Sequence, residues 1–152
     1  MDHVLFAGFR GKHNSSGVLA EQLSPEHLLL TNSFAGLKKD IASVSAEYDY
    51  AILFGVDKSL ISSVRIEKAA VRDSERKTSC LDLEKILESF RAAGVPAVIS
   101  DNPAPCLCNE AYWQVLGKFS GRAVFIHIPT IGHAHERFIG KIKKSVLTLS
   151  EL

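Results

Sequence analysis

Cysteine is scarce in this chain, and its count of three is odd, which argues against the disulfide framework of a small secreted protein and for a reducing, cytoplasmic setting. Long apolar runs are missing too. The first run, Val4-Leu5-Phe6-Ala7, is too short for a signal-peptide core and leads into Gly8 rather than a small-residue cleavage site; nothing downstream reaches membrane-spanning length. Charge of one sign is also lacking. The 18 Lys and Arg and 17 Asp and Glu are mixed along the chain, and few aromatics lie beside basic residues, so neither the electrostatic patch nor the stacking surface of a nucleic-acid binder is present. What remains is 152 residues, 46% hydrophobic, without repeats, linkers or low-complexity tracts. That is enough for a single domain, residues 1–152, with a core of its own.

Short runs rich in Val, Ile and Leu alternate with segments of helical period, the pattern of one three-layer α/β/α domain with a mixed, mostly parallel sheet. Strands are predicted at His3–Phe9, Leu28–Thr31, Tyr50–Phe54, Ser62–Val71, Pro96–Ser100 and Arg122–Ile128. Helices are predicted near Gly17–Leu23 with Ser15 or Ser16 as cap, over Phe34–Glu47, after Thr78 or Ser79 up to Gly94, from Cys106 or Leu107 with Trp113 and Leu116 inward, and from about His135. The polar stretch Asp73–Ser79 reads as a loop. Sites in open α/β sheets form beyond the carboxyl ends of strands, so the loops after Phe9, Gly55, Ser100 and His127 are expected to share one face.

On that face, Cys108 follows a Pro-rich turn at a helix start and His127 ends the last strand. Unpaired N–H groups at a helix start favour a thiolate, and a thiolate with an imidazole beside it can attack an amide carbonyl. This points to a cysteine hydrolase. The plainer readings are a buried packing thiol and a core histidine. Cys106 and Cys108 could form a strained redox pair. Cys106, Cys108, His127, His133 and His135 match no compact zinc spacing, and Gly8-Phe9-Arg10-Gly11 matches no nucleotide loop, so neither metal nor cofactor is expected. Arg10, Lys12 and Arg72 are either solvated charges or crevice residues that choose an anionic group.

Segments around these residues resemble the pyroglutamyl peptidase I family, also called pyrrolidone-carboxylate peptidases, cysteine peptidases that remove an N-terminal 5-oxoproline. Ser100-Asp101-Asn102-Pro103-Ala104-Pro105-Cys106-Leu107-Cys108-Asn109 aligns without a gap on the family's S-N-S-A-G-x-Y-x-C-N, and Phe125-Ile126-His127-Ile128-Pro129 meets its F-x-H-x-P. Val64-Arg65-Ile66-Glu67-Lys68-Ala69-Ala70-Val71-Arg72 meets I-x-I-E-R-x-A-x-N in part, with Arg72 in place of the asparagine. Gly8-Phe9 with Asn14-Ser15-Ser16 resembles the two ends of G-F-E-P-F-G-G-x-x-x-N-P-S, and Gly55 the glycine that ends the third strand.

The resemblance implies Cys108 as nucleophile, His127 as general base, and Glu67, otherwise an ordinary surface acid, as the residue that orients the imidazole. It puts Phe9, Asn14 and Gly55 on the substrate side. The family's second phenylalanine is missing after Phe9, as is a long segment between Glu67 and Ser100, so the chain resembles a shortened, divergent member. The implied substrate is a small pyroglutamyl peptide or amide. A different small lactam or amide, and an inactive homologue that binds a ligand or partner, are the competing expectations. The family forms oligomers, so a homo-oligomer is admitted, with no nucleic-acid or membrane partner.

Overall fold

The computed structural model describes residues 2–45, 47–133 and 135–152. In chain order the elements are β1 (Val4–Phe9), α1 (Ser15–Leu23), β2 (His27–Leu30), α2 (Phe34–Ala42), β3 (Tyr50–Val56), β4 (Val64–Glu67), β5 (Ala69–Arg72), β6 (Glu75–Thr78), α3 (Leu83–Ala92), β7 (Ala97–Ser100), α4 (Cys106–Lys118), β8 (Ala123–Ile128) and α5 (Glu136–Leu147). Six strands form one sheet in the order β2-β1-β3-β8-β4-β7, and β5 pairs with β6 in a separate hairpin. The architecture is the expected α/β one, with a mostly parallel mixed sheet between helices. Among the described residues, no helix is long and apolar enough to cross a membrane.

The strands at the sheet centre are apolar on both faces, as a sheet covered by two helical layers requires. Alternation along each strand divides the core. Phe6, Ile52, Phe54, Val124 and Ile126 pack with Leu19, Phe90 and Ile142 of α1, α3 and α5. Leu5, Ala7, Phe9, Leu53, Ala123 and Phe125 pack with Leu37 and Ile41 of α2 and with Tyr112, Val115 and Leu116 of α4.

Five expectations are corrected. The alternating segment Ser62–Val71 is two strands: Lys68 sends its N–H to Ser100 O and accepts from Ser79 N, and beyond it the chain leaves the sheet as β5. The stretch read as a loop, Asp73–Ser79, supplies β6, antiparallel to β5. Helix caps also move: Asn14 caps α1 through Ser16 N, and Asp82 caps α3 through Lys85 N. Ser15 and Ser16 instead tie α1 to the sheet, Ser15 Oγ donating to Pro129 O (2.6 Å) and Ser16 Oγ accepting from Phe9 N (3.0 Å). Helix α2 stops at Ala42, five residues short of Glu47.

The remaining correction is one of direction. Strand β4 is antiparallel to β8 and parallel to β7, so the carboxyl end of β7 points away from those of β1, β3 and β8. Ser100 is level with Glu67 and Phe125, not with His127. The segment 101–105 must therefore climb back across the sheet before α4 begins. Cys106 absorbs the final turn with a φ of 58°, a left-handed conformation that costs a non-glycine residue about 1 kcal/mol.

Candidate active site

Strand parity assembles the site. Arg65 of β4 lies directly opposite His127 of β8, Glu67 lies opposite Phe125, and Gly55 of β3 is in register with His127. Directly paired residues point to the same face, so these side chains stand on the side covered by α4. On that side the His127 ring stacks at a tilt on Phe125, with centroids 4.8 Å apart. His127 and Glu67 are both buried, at 3% and 1% exposed. His127 Nδ1 is 3.2 Å from Glu67 Oε1, and the same oxygen accepts from Arg65 Nε at 2.5 Å. Arg65 Nη2 reaches Asp57 Oδ2 at 2.8 Å, and Asp57 Oδ1 accepts from the N–H and hydroxyl of Ser59.

These bonds shift the charges. The Ser59 hydrogen bonds, with Arg65 adding to them against the effect of burial, hold the Asp57 carboxyl down at about 2. Burial works against the charge on Arg65, yet its bonds to Glu67 and Asp57 hold the guanidinium above its ordinary value. A guanidinium so bridged offsets part of the charge of the two carboxylates it joins.

Cys108, the third residue of α4, lines the same pocket as His127 and Arg65. Helix α4 is fastened at two points. Tyr112, one turn beyond Cys108, donates its buried hydroxyl to Glu67 O at 2.8 Å. Asn109 bonds the Val71 backbone in both directions, donating to its carbonyl (2.8 Å) and accepting from its N–H (3.0 Å), in place of a neighbouring strand. Asn109→Ala is expected to cost about 1–2 kcal/mol by leaving both backbone groups without their partner, read as a lower urea midpoint.

Close approach of the thiol depends on Gly55. A Cβ there would overlap the Phe125 ring and come within 3.1 Å of Cys108 Sγ. Gly55→Ala is therefore expected to push ring and thiol apart and to destabilise the fold by about 1–3 kcal/mol, also measurable by urea unfolding.

Cys108 and His127 line one pocket of about 480 Å³ together with Val56, Asp57, Lys58, Arg65, Pro105 and Thr130. The hollow between α1 and α5 (about 440 Å³) and the one under the amino ends of β1 and β3 (about 620 Å³) contain no such thiol and imidazole. The electrostatic expectation for the thiol is overturned. Burial, with the carboxylates of Glu67 and Asp57 adding to it, pushes Cys108 up to about 11, and Arg65 offsets only part of that. At neutral pH the group rests as a thiol rather than as a thiolate held by the helix start. No side chain caps the start of α4, where Pro105 is the N-cap residue.

No protein-family model matches the chain, and no curated protein matches it in sequence. Solved structures do match in shape. The pyrrolidone carboxyl peptidase of Thermococcus litoralis superposes with a TM-score of 0.79 at 20% identity, over 97% of this chain and 92% of that one. The chain has the pyroglutamyl peptidase fold. Pyroglutamyl peptidase I of Bacillus amyloliquefaciens matches with a TM-score of 0.83 at 16% identity, over 96% and 93% of the two chains. A variant of the Pyrococcus furiosus pyrrolidone carboxyl peptidase gives 0.75 at 20% identity, over 95% and 96%.

Within this pyroglutamyl peptidase fold the residues singled out by sequence take different places. Cys108 and His127 share the pocket wall, and Glu67 lies behind the imidazole. Gly55 is packed under the thiol. Phe9 is buried in the core cluster on the α2 and α4 side, and Asn14 spends its side chain on the start of α1; neither is among the pocket's lining residues. Arg72 pairs with Glu110 at 2.7 Å and lies over the Trp113 ring, and Arg10 and Lys12 are exposed. Among the described residues, no three His, Cys, Asp or Glu side chains are grouped to hold a metal ion. Sequence reasoning missed Arg65, Asp57 and Tyr112. The alternation that placed Glu67 on a strand carried the signal for Arg65, since residues two apart on a strand share a face.

Proposed function

We propose that this chain is a cysteine hydrolase of small amides, with an N-terminal pyroglutamyl peptide as the substrate class suggested by its fold. The observation that carries the reading is one pocket wall bearing both the Cys108 thiol and the His127 imidazole, with Glu67 Oε1 3.2 Å from the far ring nitrogen. Facing a carboxylate, Nδ1 donates and Nε2 keeps its lone pair for the thiol proton. Because the thiol rests protonated, His127 acts as a true general base: it takes the proton as sulfur attacks the carbonyl carbon. The protonated ring then delivers that proton to the departing amine, leaving a thioester that water hydrolyses by the same route. Backbone N–H groups in the uncapped first turn of α4 are the donors available to the oxyanion. No cofactor is needed for these steps.

The test is release of chromophore from a pyroglutamyl anilide by the parent protein and by Cys108→Ala. A second reading, an amidase acting on a different small amide, is favoured by Asp57, Lys58 and Arg65, which give the pocket a charged wall. It predicts a parent that is silent on the pyroglutamyl anilide and active on another small amide.

A further inference from the structure

The hydrolase reading uses Arg65 only to support Glu67. Arg65 is three-quarters buried, stands on the strand next to His127 and lines the same pocket as Cys108. A guanidinium has five N–H donors. Nε donates to Glu67 Oε1 at 2.5 Å, and Nη2 lies 2.8 Å from Asp57 Oδ2. Nη1 has no partner among the described residues. The fork of Nη1 and Nη2 is the arrangement that takes a carboxylate bidentately. Lys58, exposed on the same pocket wall, adds a second positive charge, while Asp57 is already engaged by Ser59 and Arg65.

The geometry points to Arg65 as the residue that anchors a carboxylate on the acyl half of the substrate, so that the pocket takes small acidic acyl amides. This assignment rests on the hydrolase reading for its chemistry, but not for its binding. The acyl half stays in the pocket through both attack and deacylation, so an anchor that serves both steps holds that half. The order of the groups across the sheet fits: Gly55 under the sulfur on β3, the imidazole on β8, and the guanidinium one strand further on β4. A neutral acyl group offers the guanidinium no charge-assisted partner, whereas a carboxylate does.

The experiment has two arms. In the first, the parent, Arg65→Met and Arg65→Lys are assayed on glutaryl, succinyl, pyroglutamyl and acetyl anilides. The acidic anilides are expected to show kcat/KM at least ~10-fold above the neutral ones. Arg65→Met is expected to reduce the acidic substrates ~10–100-fold more than the neutral ones, with partial rescue in Arg65→Lys, the usual weight of a charge-assisted bidentate contact. Because Arg65 also supports Glu67, a general loss of activity is expected on all four substrates, and the ratio between acidic and neutral substrates is the readout. Equal loss on acidic and neutral substrates overturns the assignment.

In the second arm, glutarate is titrated calorimetrically into the Cys108→Ala protein, with and without Arg65→Met or Arg65→Lys. Binding that weakens at least ~10-fold in the Met variant and less in the Lys variant supports the anchor. Indifference to Arg65 overturns it, and should the Met variant fail to fold, the Lys variant carries the comparison. Glutarate held through Arg65 with no anilide cleaved would remove the hydrolase reading and keep the site. Cleavage of the pyroglutamyl anilide without glutarate binding would do the reverse.

Discussion

Replacing Cys108 by alanine is expected to abolish anilide hydrolysis, lowering kcat/KM by about 10⁴-fold or more, because the proposed covalent intermediate forms on its sulfur. His127→Ala should be nearly as severe. A thiol that rests protonated is a poor nucleophile until a base removes its proton, and in the proposed reaction His127 is that base. Glu67→Gln should be milder, about 10²–10⁴-fold, since the amide can hold the ring but does not stabilise the imidazolium. The double variant Cys108→Ala with His127→Ala should be no slower than Cys108→Ala alone, as for residues that act together. Initial rates at several anilide concentrations check all four, and a Cys108→Ala protein that keeps a tenth of the parent rate would refute the nucleophile assignment.

The second large effect concerns the thiol itself. An unperturbed cysteine ionises near pH ~8.5, whereas burial and the nearby carboxylates push Cys108 up to about 11. Iodoacetamide alkylation of Cys108, followed by mass spectrometry, should therefore have its midpoint well above the ~8.5 of a free cysteine. Stability follows with a definite sign. The folded value is the higher one, so the contribution of Cys108 is fully present below the unfolded thiol value and is lost as pH rises toward about 11. Between pH 9 and 11, the parent should lose roughly 2 kcal/mol of unfolding free energy relative to Cys108→Ala, a difference in which the other groups cancel. Urea titrations of both proteins across that range measure it. A midpoint at or below ~8.5 would restore the thiolate expected from the helix start.

That reversal shows where the sequence stops being readable. A helix start is a local feature, and Pro105-Cys106-Leu107-Cys108 displays it openly. Burial by α4 packing and the approach of Glu67 and Asp57 are tertiary, and they outweigh it. The motifs at Cys108, His127 and Glu67 were legible because they sit at strand ends and a helix start, where residue types are constrained. Arg65 was legible only as one tooth of an alternation. The reversed direction of β4 and β7 could not be read at all, since an apolar strand carries no mark of its direction, and Ser100 was therefore assigned to the wrong end of the sheet. The β5–β6 hairpin was hidden for a related reason: Ala69–Arg72 continues the alternation of β4, and only the partner it meets distinguishes the two strands.

The clasp between Asn109 and Val71 has a mechanical side. Asn109 is the residue after the sulfur-bearing one, and the strand it grips belongs to a hairpin outside the main sheet. Lengthening or deleting that hairpin tip, at Asp73 and Ser74, would tug on the helix turn that aims the thiol without touching any wall of the pocket. A remote surface appendage thereby becomes a lever on the reactive atom.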